Sequence, residues 1–266
     1  MQGLERGATH AAQPETVALF LSDLHLQEAM PKTLAAFLSF LRERALTARQ
    51  LYLLGDLFEY WPGDDDLDAP FNRMVVDAVR AVADAGVSVF WISGNRDFLI
   101  GAEFARRAGL TLLTDPFVTE IAGRRVVLAH GDAQCTDDHG YMAFRTQVRQ
   151  PAWQQAFLAQ PLAERKRIIE GVRMQSREAQ RGKPAEIMDV NDAAVAALFE
   201  SSGAQIMIHG HTHRPARHAY PGKDGPRLRY VLPDWDLEGP ERRGGWIAID
   251  GAGTVRRHGW NGVVLD

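Results

Sequence analysis

The sequence predicts an α/β fold in which two β-sheets lie face to face, with helices on the outside and a helical segment inserted in the second half. Short apolar runs alternate with segments whose apolar residues recur at helical spacing, which is typical of helices packed on a sheet. After residue 108 the pattern changes to strand-like runs joined by short turns, which predicts a second, more antiparallel sheet. Residues 139–189 contain no strand-like run and are predicted to be helical.

The core elements follow from local patterns along the chain. Continuous apolar runs, which are typical of strands buried on both faces, predict strands at 17–21, 51–54 and 87–92. Apolar residues at helical spacing predict helices at 31–45, 71–85 and 102–108. Two strand-like runs flank Ala122-Gly-Arg124 and predict a hairpin of 117–121 with 125–129. The last part of the chain predicts a helix at 190–200 and strands at 206–208, 228–232 and 246–249.

Composition and charge exclude several classes of protein. The chain has 266 residues and a formal net charge of −4, which gives no indication of nucleic-acid binding. Cys135 is the only cysteine, so an internal disulfide is impossible. No apolar run approaches the roughly 20 residues of a membrane-spanning helix, and residues 1–16 lack the apolar core of a secretory signal. We therefore expect a monomeric cytoplasmic protein with a flexible tail at 1–16 and no nucleic-acid partner.

The segment 139–189 differs from the core, which we predict to comprise 17–138 and 190–266. It carries nine basic and five acidic residues, a net charge of +4, although the whole chain is acidic. One interpretation is a solvated helical hairpin inserted in a loop. The other is a lid whose basic face meets an anionic substrate and whose apolar residues face the core, a partner or an apolar ligand. These apolar residues are Trp153, Phe157, Leu158, Leu162, Ile168, Ile169, Val172 and Met174.

Five short polar motifs each follow an apolar, strand-like run. In open α/β sheets ligands bind beyond the carboxyl ends of the strands, so this placement predicts that the motifs converge at one edge. Taken singly, each motif is ordinary surface or turn chemistry, but five in equivalent positions predict a common site. The motifs are Asp23-Leu-His25, Gly55-Asp56, Gly94-Asn-Arg-Asp97, His130-Gly-Asp132 and Gly210-His-Thr-His213.

The residue types in these motifs favour two divalent metal ions that hydrolyse a phosphate ester or anhydride. Two ions about 3.5–4 Å apart acidify a water and neutralise phosphoryl oxygens, but they repel one another unless a carboxylate lies between them. We predict that Asp56 is this bridge and that Asn95 is a neutral ligand. Imidazoles and oxygens without a thiolate disfavour a structural zinc site and suit Mn, Fe, Ni or Co better, with Zn or Mg as alternatives. Of these we favour Mn²⁺. The predicted metal ligands are Asp23, His25, Asp56, Asn95, His130, His211 and His213.

The order of these motifs resembles the calcineurin-like metallophosphoesterase superfamily over about residues 17–249. The resemblance implies a double β-sandwich flanked by helices. It also divides the predicted ligands between two metal ions that share Asp56. One ion would be held by Asp23, His25, Asp56 and His213, and the other by Asp56, Asn95, His130 and His211.

Arg96 stands where many members of that superfamily have a histidine that can protonate a leaving alkoxide. Arginine cannot act as a general acid, because it keeps its proton at any useful pH. A phosphate leaving group needs no such proton, since its second ionisation lies near pH 6, and Arg96 could instead neutralise phosphate oxygens. This departure favours a phosphoanhydride or a sugar-phosphate leaving group. The alternative is an arginine that only pairs with Asp97.

Longer stretches resemble a narrower family, the UDP-2,3-diacylglucosamine diphosphatases of the lipid A pathway in Gram-negative bacteria. The resemblance includes the insertion, and it implies that water attacks the α-phosphorus of the UDP group to give UMP and 2,3-diacylglucosamine 1-phosphate. The basic and apolar insertion also predicts peripheral contact with the cytoplasmic face of the inner membrane. The stretches are Leu54-Gly-Asp-Leu-Phe-Glu-Tyr-Trp61, Gly63-Asp-Asp-Asp66, Gly94-Asn-Arg-Asp-Phe-Leu99, Cys135-Thr-Asp-Asp138, Ile187-Met-Asp-Val-Asn191 and Ile208-His-Gly-His-Thr-His-Arg-Pro215.

This narrower resemblance also implies which residues act on the substrate. Catalytic roles fall on Asp56, Asn95, Arg96 and His211. Tyr141 is a weaker candidate, and the family often has asparagine at the position of Gln180. The implied substrate contacts are Asn95, Arg96, Asp138, Ser176, Gln180, Lys183 and His211.

Other residues near the motifs receive supporting roles or none. We expect Asp97 and Asp132 to orient metal ligands and Cys135 to be a buried neighbour of the site. No role follows from the sequence for the acidic run at 64–66 or for the stretch at 234–236, which departs from the family. Two alternatives remain at this stage: a general nucleotide diphosphatase or phosphodiesterase on the same scaffold, and a non-catalytic metal-binding scaffold protein.

Overall fold

The computed structural model describes residues 15–180, 189–223 and 225–266, without the side chains of 176–180. The predicted tail therefore lies outside the described residues except at its end, where Thr16 already begins the first strand. The strands are β1 (Thr16–Leu21), β2 (Gln50–Leu53), β3 (Ser88–Ile92), β4 (Leu110–Leu113), β5 (Phe117–Ile121), β6 (Arg124–Leu128), β7 (Ile206–His209), β8 (Arg217–Tyr220), β9 (Arg227–Val231), β10 (Gly245–Asp250) and β11 (Val255–Gly259). The helices are α1 (Pro31–Glu43), α2 (Pro70–Asp84), α3 (Ala102–Ala108), α4 (His139–Val148), α5 (Pro151–Leu158), α6 (Leu162–Gln180) and α7 (Asp192–Ser202).

These strands form two sheets. The first has six strands in the order β11-β10-β1-β2-β3-β4, and its members from β1 to β4 run parallel. The second has five strands in the order β5-β6-β7-β9-β8, with β6, β7 and β9 parallel and the two outer strands antiparallel to their neighbours. The second sheet is thus mixed, and β10 belongs to the first sheet, where it pairs antiparallel with β1.

The two sheets pack face to face, and helices cover their outer faces. The alternating residues of β1 show this arrangement: Ala18 and Phe20 join the cluster between the sheets, whereas Leu19 and Leu21 join the cluster under α1, α2 and α3. A third cluster, which includes Phe199, packs α7 on the second sheet. The predicted double β-sandwich flanked by helices is therefore confirmed.

Three strands that the sequence pattern did not predict, β4, β8 and β11, all lie at the edges of their sheets. Edge strands face solvent on one side, so they need no continuous apolar run. In β8 (Arg217–Tyr220) three of four residues are exposed, and β11 (Val255–Gly259) has no fully buried residue. Because these strands are polar, a prediction based on continuous apolar runs does not find them.

The insertion at 139–189 begins with three helices, α4, α5 and α6, rather than the two of a hairpin. Five of its nine basic residues pair with carboxylates of the core, so its positive charge attaches it to the core. The side chains of Arg177, Arg181 and Lys183 lie outside the described part, and Arg167 pairs within its own helix. These five residues form six ion pairs: Arg145 with Asp115 and Asp132, Arg149 with Asp132, Arg165 with Asp65, Lys166 with Asp66, and Arg173 with Glu59.

The acidic run at 64–66, for which no role could be predicted, is one of these anchors. Asp64 accepts hydrogen bonds from the backbone N–H groups of Gly101 and Phe104, at 3.0 and 2.9 Å, and so caps α3. Asp65 and Asp66 pair with α6. Within the described residues, no helix combines the length and apolar character that crossing a bilayer requires.

Arg165 provides a test of how the insertion is attached. Its side chain is 2% exposed and donates to the Pro62 carbonyl as well as to Asp65. We expect Arg165→Ala to lower the free energy of unfolding by about 2–4 kcal/mol, because it leaves a buried carbonyl and a carboxylate without their donor. The matched control on the same helix, Arg167→Ala, removes only an exposed pair with Glu164 and should cost less than about 1 kcal/mol. Urea unfolding measures both, and equal effects would contradict the anchoring role.

Candidate metal centre

All seven predicted metal ligands lie beyond the carboxyl ends of strands, at one edge of the sandwich. The first sheet contributes four of them: Asp23 and His25 follow β1, Asp56 follows β2 and Asn95 follows β3. The second sheet contributes the rest from the loops after β6 and β7, namely His130, His211 and His213. Because both sheets place parallel strands at this edge, residues far apart in sequence meet there.

One group of donor atoms surrounds Asp23 Oδ1. His213 Nε2 lies 3.5 Å from it and His25 Nε2 lies 3.9 Å from it, while the two imidazole nitrogens are 3.4 Å apart. Asp56 Oδ2 is 3.8 Å from His25 Nε2. Ligand atoms held about 2.1 Å from a shared ion lie about 3.0–3.4 Å from one another, so this group is close to the spacing of a metal site.

A second group shares the same oxygen of Asp56. His130 Nε2 is 3.7 Å from Asp56 Oδ2 and 3.0 Å from Asn95 Oδ1. His211 Nδ1 is 2.9 Å from Asn95 Oδ1. The two groups therefore meet at Asp56, and the structure brings together all seven residues in the two sets that the sequence resemblance implied.

The backbone at these positions is unusual. Five of the predicted ligands have φ values between 47° and 67°, in the left-handed region that non-glycine residues rarely adopt: Asp23, His25, Asp56, His211 and His213. Ala122, in the hairpin turn, is the one other non-glycine residue with positive φ in the described part of the chain. Such strain gathers at functional sites, where surrounding structure holds it in place.

Two glycines of the motifs allow the strands to approach closely. A Cβ atom on Gly94 would lie 2.0 Å from Asp56 Oδ1, and one on Gly210 would lie 2.1 Å from Asp23 Oδ2. Any side chain at either position would displace a candidate ligand. These glycines belong to the site although they offer no ligand atom.

Polar groups face the far ring nitrogens of the imidazoles, although only His130 makes a hydrogen bond there within the described residues. His130 Nδ1 donates to the Leu54 carbonyl at 2.8 Å, which directs Nε2 toward the second group. His25 Nδ1 lies 3.1 Å from a carboxylate oxygen of Glu59, and His213 Nδ1 lies 3.7 Å from one of Asp234. Neither Glu59 nor Asp234 was predicted to have this role. In the sequence each is an isolated acidic residue in a loop, and a loop has no hydrophobic periodicity from which a role could be predicted.

Of the two residues that were expected to orient ligands, Asp97 does so through the backbone. Its oxygens accept hydrogen bonds from the N–H groups of Asp56, Leu57 and Gly94, at 2.8–3.2 Å. Burial and the charge of Asp56 raise the pKa of Asp97 to about 7. Asp132, two residues after His130, accepts from the Tyr141 hydroxyl at 2.5 Å and from Arg145 Nε at 2.8 Å.

The electrostatics of the cluster favour cations. Burial opposes ionisation of Asp23, but its contact with His213 and the charges of His130 and His25 hold its pKa well below the usual range. Burial alone would lower the pKa of His130, yet Asp56 and Asp23 raise it to about 9. Burial and His130 lower the pKa of His211 to about 4, so His211 is neutral and able to ligate.

A direct test of fit comes from the oxygens of Asp23. Oδ2 accepts from Ser22 Oγ at 2.6 Å and from the His211 N–H at 2.8 Å. Oδ1 is buried and accepts no hydrogen bond within the described residues. A buried carboxylate oxygen without a donor, surrounded by imidazole nitrogens, is the arrangement that a divalent cation satisfies. The residues therefore fit divalent metal ions.

Arg96 lies beside this cluster and lines the adjoining cavity. Its backbone N–H donates to Asp56 Oδ1 at 2.8 Å, while its buried Nε has no hydrogen-bond partner among the described residues. No ion pair with Asp97 occurs within that same part of the chain, so the alternative role of Arg96 as a partner of Asp97 receives no support.

The other predicted substrate contacts are less completely described. Asp138 lines the cavity and caps α4 by accepting from the Tyr141 N–H at 3.1 Å. Tyr141, the weaker candidate, lines the cavity as well, and its ring stacks on His211 with centroids 5.9 Å apart. Ser176 and Gln180 lie on α6, but their side chains fall outside the described part, as does the whole of Lys183.

A cavity of about 700 Å³ adjoins the candidate ligands. Its lining includes the candidate ligands His25, Asp56, Asn95 and His211. It also includes apolar residues of the insertion: Phe144, Trp153, Phe157, Ile168, Ile169 and Val172. The site thus joins a polar, metal-binding end to an apolar wall.

The model of the calcineurin-like phosphoesterase family matches residues 17–215, and the chain belongs to this family. The family and the donor set together imply divalent metal ions and a metal-dependent hydrolase.

Among characterised relatives, the UDP-2,3-diacylglucosamine hydrolase of Aromatoleum aromaticum is 51% identical over 236 residues, which cover 89% of this chain and 94% of that protein. The enzyme of the same name from Escherichia coli O157:H7 is 51% identical over 221 residues, covering 83% and 92%. Among solved structures, vacuolar protein sorting 29 of Cryptosporidium parvum is 11% identical and covers 93% of this chain and 91% of its own, with a TM-score of 0.46.

Asp56 is the residue whose loss should affect both groups of ligands. Saturating divalent cation, with Mn²⁺, Co²⁺ and Zn²⁺ tested in turn, should raise the free energy of unfolding by about 2.7 kcal/mol at a hundred times the Kd. Asp56→Asn should abolish most of this gain, whereas the control Asp68→Asn, at an exposed acidic position, should keep it. Thermal unfolding with and without chelator measures this stabilisation by metal. Full stabilisation of Asp56→Asn by metal would rule out a role for Asp56 as a ligand shared by two ions.

Cys135 is 2% exposed and lies beside the site, as the sequence predicted. Burial and the charge of Asp132 raise the pKa of its thiol to about 12. At pH 8 only about one molecule in ten thousand should carry the thiolate, which is the reactive form. We expect the native protein to react with a thiol reagent such as DTNB only after denaturant is added. Rapid reaction of the native protein would show that the thiol is accessible and ionised.

Proposed function

We propose that this protein hydrolyses the diphosphate of UDP-2,3-diacylglucosamine at the α-phosphorus, giving UMP and 2,3-diacylglucosamine 1-phosphate, as a step of lipid A biosynthesis. The observation that carries the proposal is the single cavity that joins the candidate metal ligands to the apolar wall of the insertion. A diphosphate with two acyl chains needs both ends of such a cavity. Relatives about half identical over most of the chain bear the name of this activity.

The apolar wall accounts for an acylated substrate. Each methylene removed from water contributes roughly 0.8 kcal/mol, so burial of part of one chain contributes more than several polar contacts. Trp153 stacks on Phe157 at 4.9 Å between ring centroids and faces Phe98 of the core at 6.3 Å, so the wall is continuous between insertion and core. A nucleotide sugar without acyl chains would leave it uncovered.

At the polar end, two divalent ions, for which Mn²⁺ suits the mixed imidazole and oxygen donors, would be held by the two ligand groups that share Asp56. Ions bound there lower the pKa of a coordinated water and offset the charge of phosphoryl oxygens. Asp56 separates the two positions, and Asn95 adds an oxygen without adding charge. His211 lies at the cavity wall, where it can contact both substrate and metal.

Arg96 favours a diphosphate substrate over an alkyl phosphate ester. Its guanidinium stays charged and can neutralise phosphate oxygens as the bond to the leaving group breaks. The leaving group is itself a phosphate and departs without a proton. We assign Asp138, Ser176, Gln180 and Lys183 to contacts that fix the nucleotide and the sugar in register.

We further propose that the protein acts as a monomer in the cytoplasm, in peripheral contact with the inner membrane, where its lipid substrate resides. The insertion would act as a lid over the acyl chains and would provide that contact. Its exposed apolar side chains Phe144 and Leu158 support this assignment. Nothing in the proposal requires a nucleic-acid partner.

A charged residue placed at the exposed margin of the apolar wall tests whether the wall binds the acyl chains. Phe157 is buried in the main core, so a carboxylate there would unfold the protein, whereas Val172 is 40% exposed and lines the cavity. Val172→Asp should raise KM for the acylated substrate about tenfold or more, because a charge would face the acyl chains. The control Met174→Asp, on the same helix but away from the cavity lining, should leave KM within about twofold. Unchanged kinetics for both variants would eliminate the lid.

The proposed substrate is tested by comparing acylated UDP-glucosamine with simple UDP-sugars and dinucleoside polyphosphates. Burial of three or four methylenes corresponds to a factor of about a hundred, so kcat/KM should favour the acylated substrate by at least that much. Hydrolysis in heavy-oxygen water should place the label in UMP if the α-phosphorus is attacked. A preference for nucleotides without acyl chains would indicate a general nucleotide diphosphatase.

A further inference from the structure

An ion pair connects the insertion to one of the candidate metal ligands. Arg173, on α6 of the insertion, pairs with Glu59 of the loop after β2. The other carboxylate oxygen of Glu59 lies 3.1 Å from His25 Nδ1. The side chains of all three residues are at most 15% exposed, so solvent screens the chain of contacts only weakly.

The contact with Glu59 determines which nitrogen of His25 can bind a cation. The contact is not a hydrogen bond within the described residues, but a carboxylate charge 3.1 Å from Nδ1 favours the tautomer of His25 that carries its hydrogen on that nitrogen. The lone pair of Nε2 then points to the group formed by Asp23 and His213. A carboxylate behind a ligating imidazole also strengthens the imidazole as a ligand.

We propose that Glu59 is a positioning residue through which the seating of α6 sets the affinity of the metal site that includes His25. The proposal rests on the two-metal site of the proposed function. When Arg173 holds Glu59, the carboxylate is fixed behind His25. When α6 moves away, Glu59 loses the guanidinium of Arg173, and its carboxylate is held less firmly behind His25. Coupling of this kind is reciprocal, so metal binding also tightens α6 against the core.

The same interface offers a matched control. Lys166 lies on α6 and pairs with Asp66 of the core at 2.7 Å. This pair joins the same two parts of the protein, but neither residue contacts a candidate metal ligand. Its loss should loosen the interface to a similar degree without changing the orientation of His25.

Calorimetric titration of the metal-free full chain with Mn²⁺ tests the proposal. The unmodified chain should bind two ions. Glu59→Ala should lower the affinity for one ion by about 10- to 100-fold and leave the affinity for the other unchanged. Arg173→Ala should lower the affinity for the same ion by a smaller factor. Lys166→Ala should leave the affinity for both ions unchanged. In hydrogen exchange, Mn²⁺ should slow the amides of α6 in the unmodified chain and in Lys166→Ala, but not in Glu59→Ala.

Two results would overturn the proposal: full affinity for both ions in Glu59→Ala, or an equal loss in Arg173→Ala and Lys166→Ala. The readout is metal binding, so it is separate from turnover. If the unmodified chain hydrolyses the acylated substrate while the variants keep both ions, only the coupling fails. If the variants behave as proposed while no acylated UDP-sugar is hydrolysed, only the proposed function fails.

Discussion

Asp23 and Asp56 are buried together at one edge of the sandwich, and the surrounding site is arranged to compensate for their charge. Two carboxylates removed from water are costly unless cations or donors face them. Backbone N–H groups, the hydroxyl of Ser22 and the imidazoles of His130 and His213 provide part of that compensation. Divalent ions would complete it, and the left-handed backbone and the close glycines hold the carboxylates in the positions that such ions require.

The insertion is part of the same arrangement. Its basic residues face the core, where Arg145 meets Asp132, Arg149 meets the backbone of Gly94, and Arg173 meets Glu59. Each of these core residues is within two positions of a candidate ligand or in contact with one. The insertion therefore closes the apolar side of the cavity and also stabilises the polar side.

Much of this could be predicted from the sequence because buried elements leave periodic signals. The central strands and the helices α1, α2 and α3 carry such signals, and the five motifs follow strands that end at the same edge. The edge strands β4, β8 and β11 could not be found in this way, since solvent replaces apolar neighbours on one side. Assigning β10 to the first sheet required knowledge of strand pairing, which the pattern of a single strand does not contain.

The site shows the same division. Ligand types and their positions after strands were sufficient to name all seven candidate ligands. The partners behind them were not predictable, because Glu59 and Asp234 are isolated acidic residues whose roles depend on which imidazole folds against them. The sequence showed that the insertion is basic. It did not show that the basic residues face the core, because net charge does not indicate which way side chains point.

We propose that two divalent ions would share the Asp56 carboxylate. Electron paramagnetic resonance of the metal-free protein during stepwise addition of Mn²⁺ distinguishes a shared site from two separate ones. Two ions a few ångströms apart couple magnetically. We expect the signal of isolated Mn²⁺ to give way to that of an exchange-coupled pair as the second equivalent binds. A signal of isolated ions at every loading would show that the carboxylate is not shared.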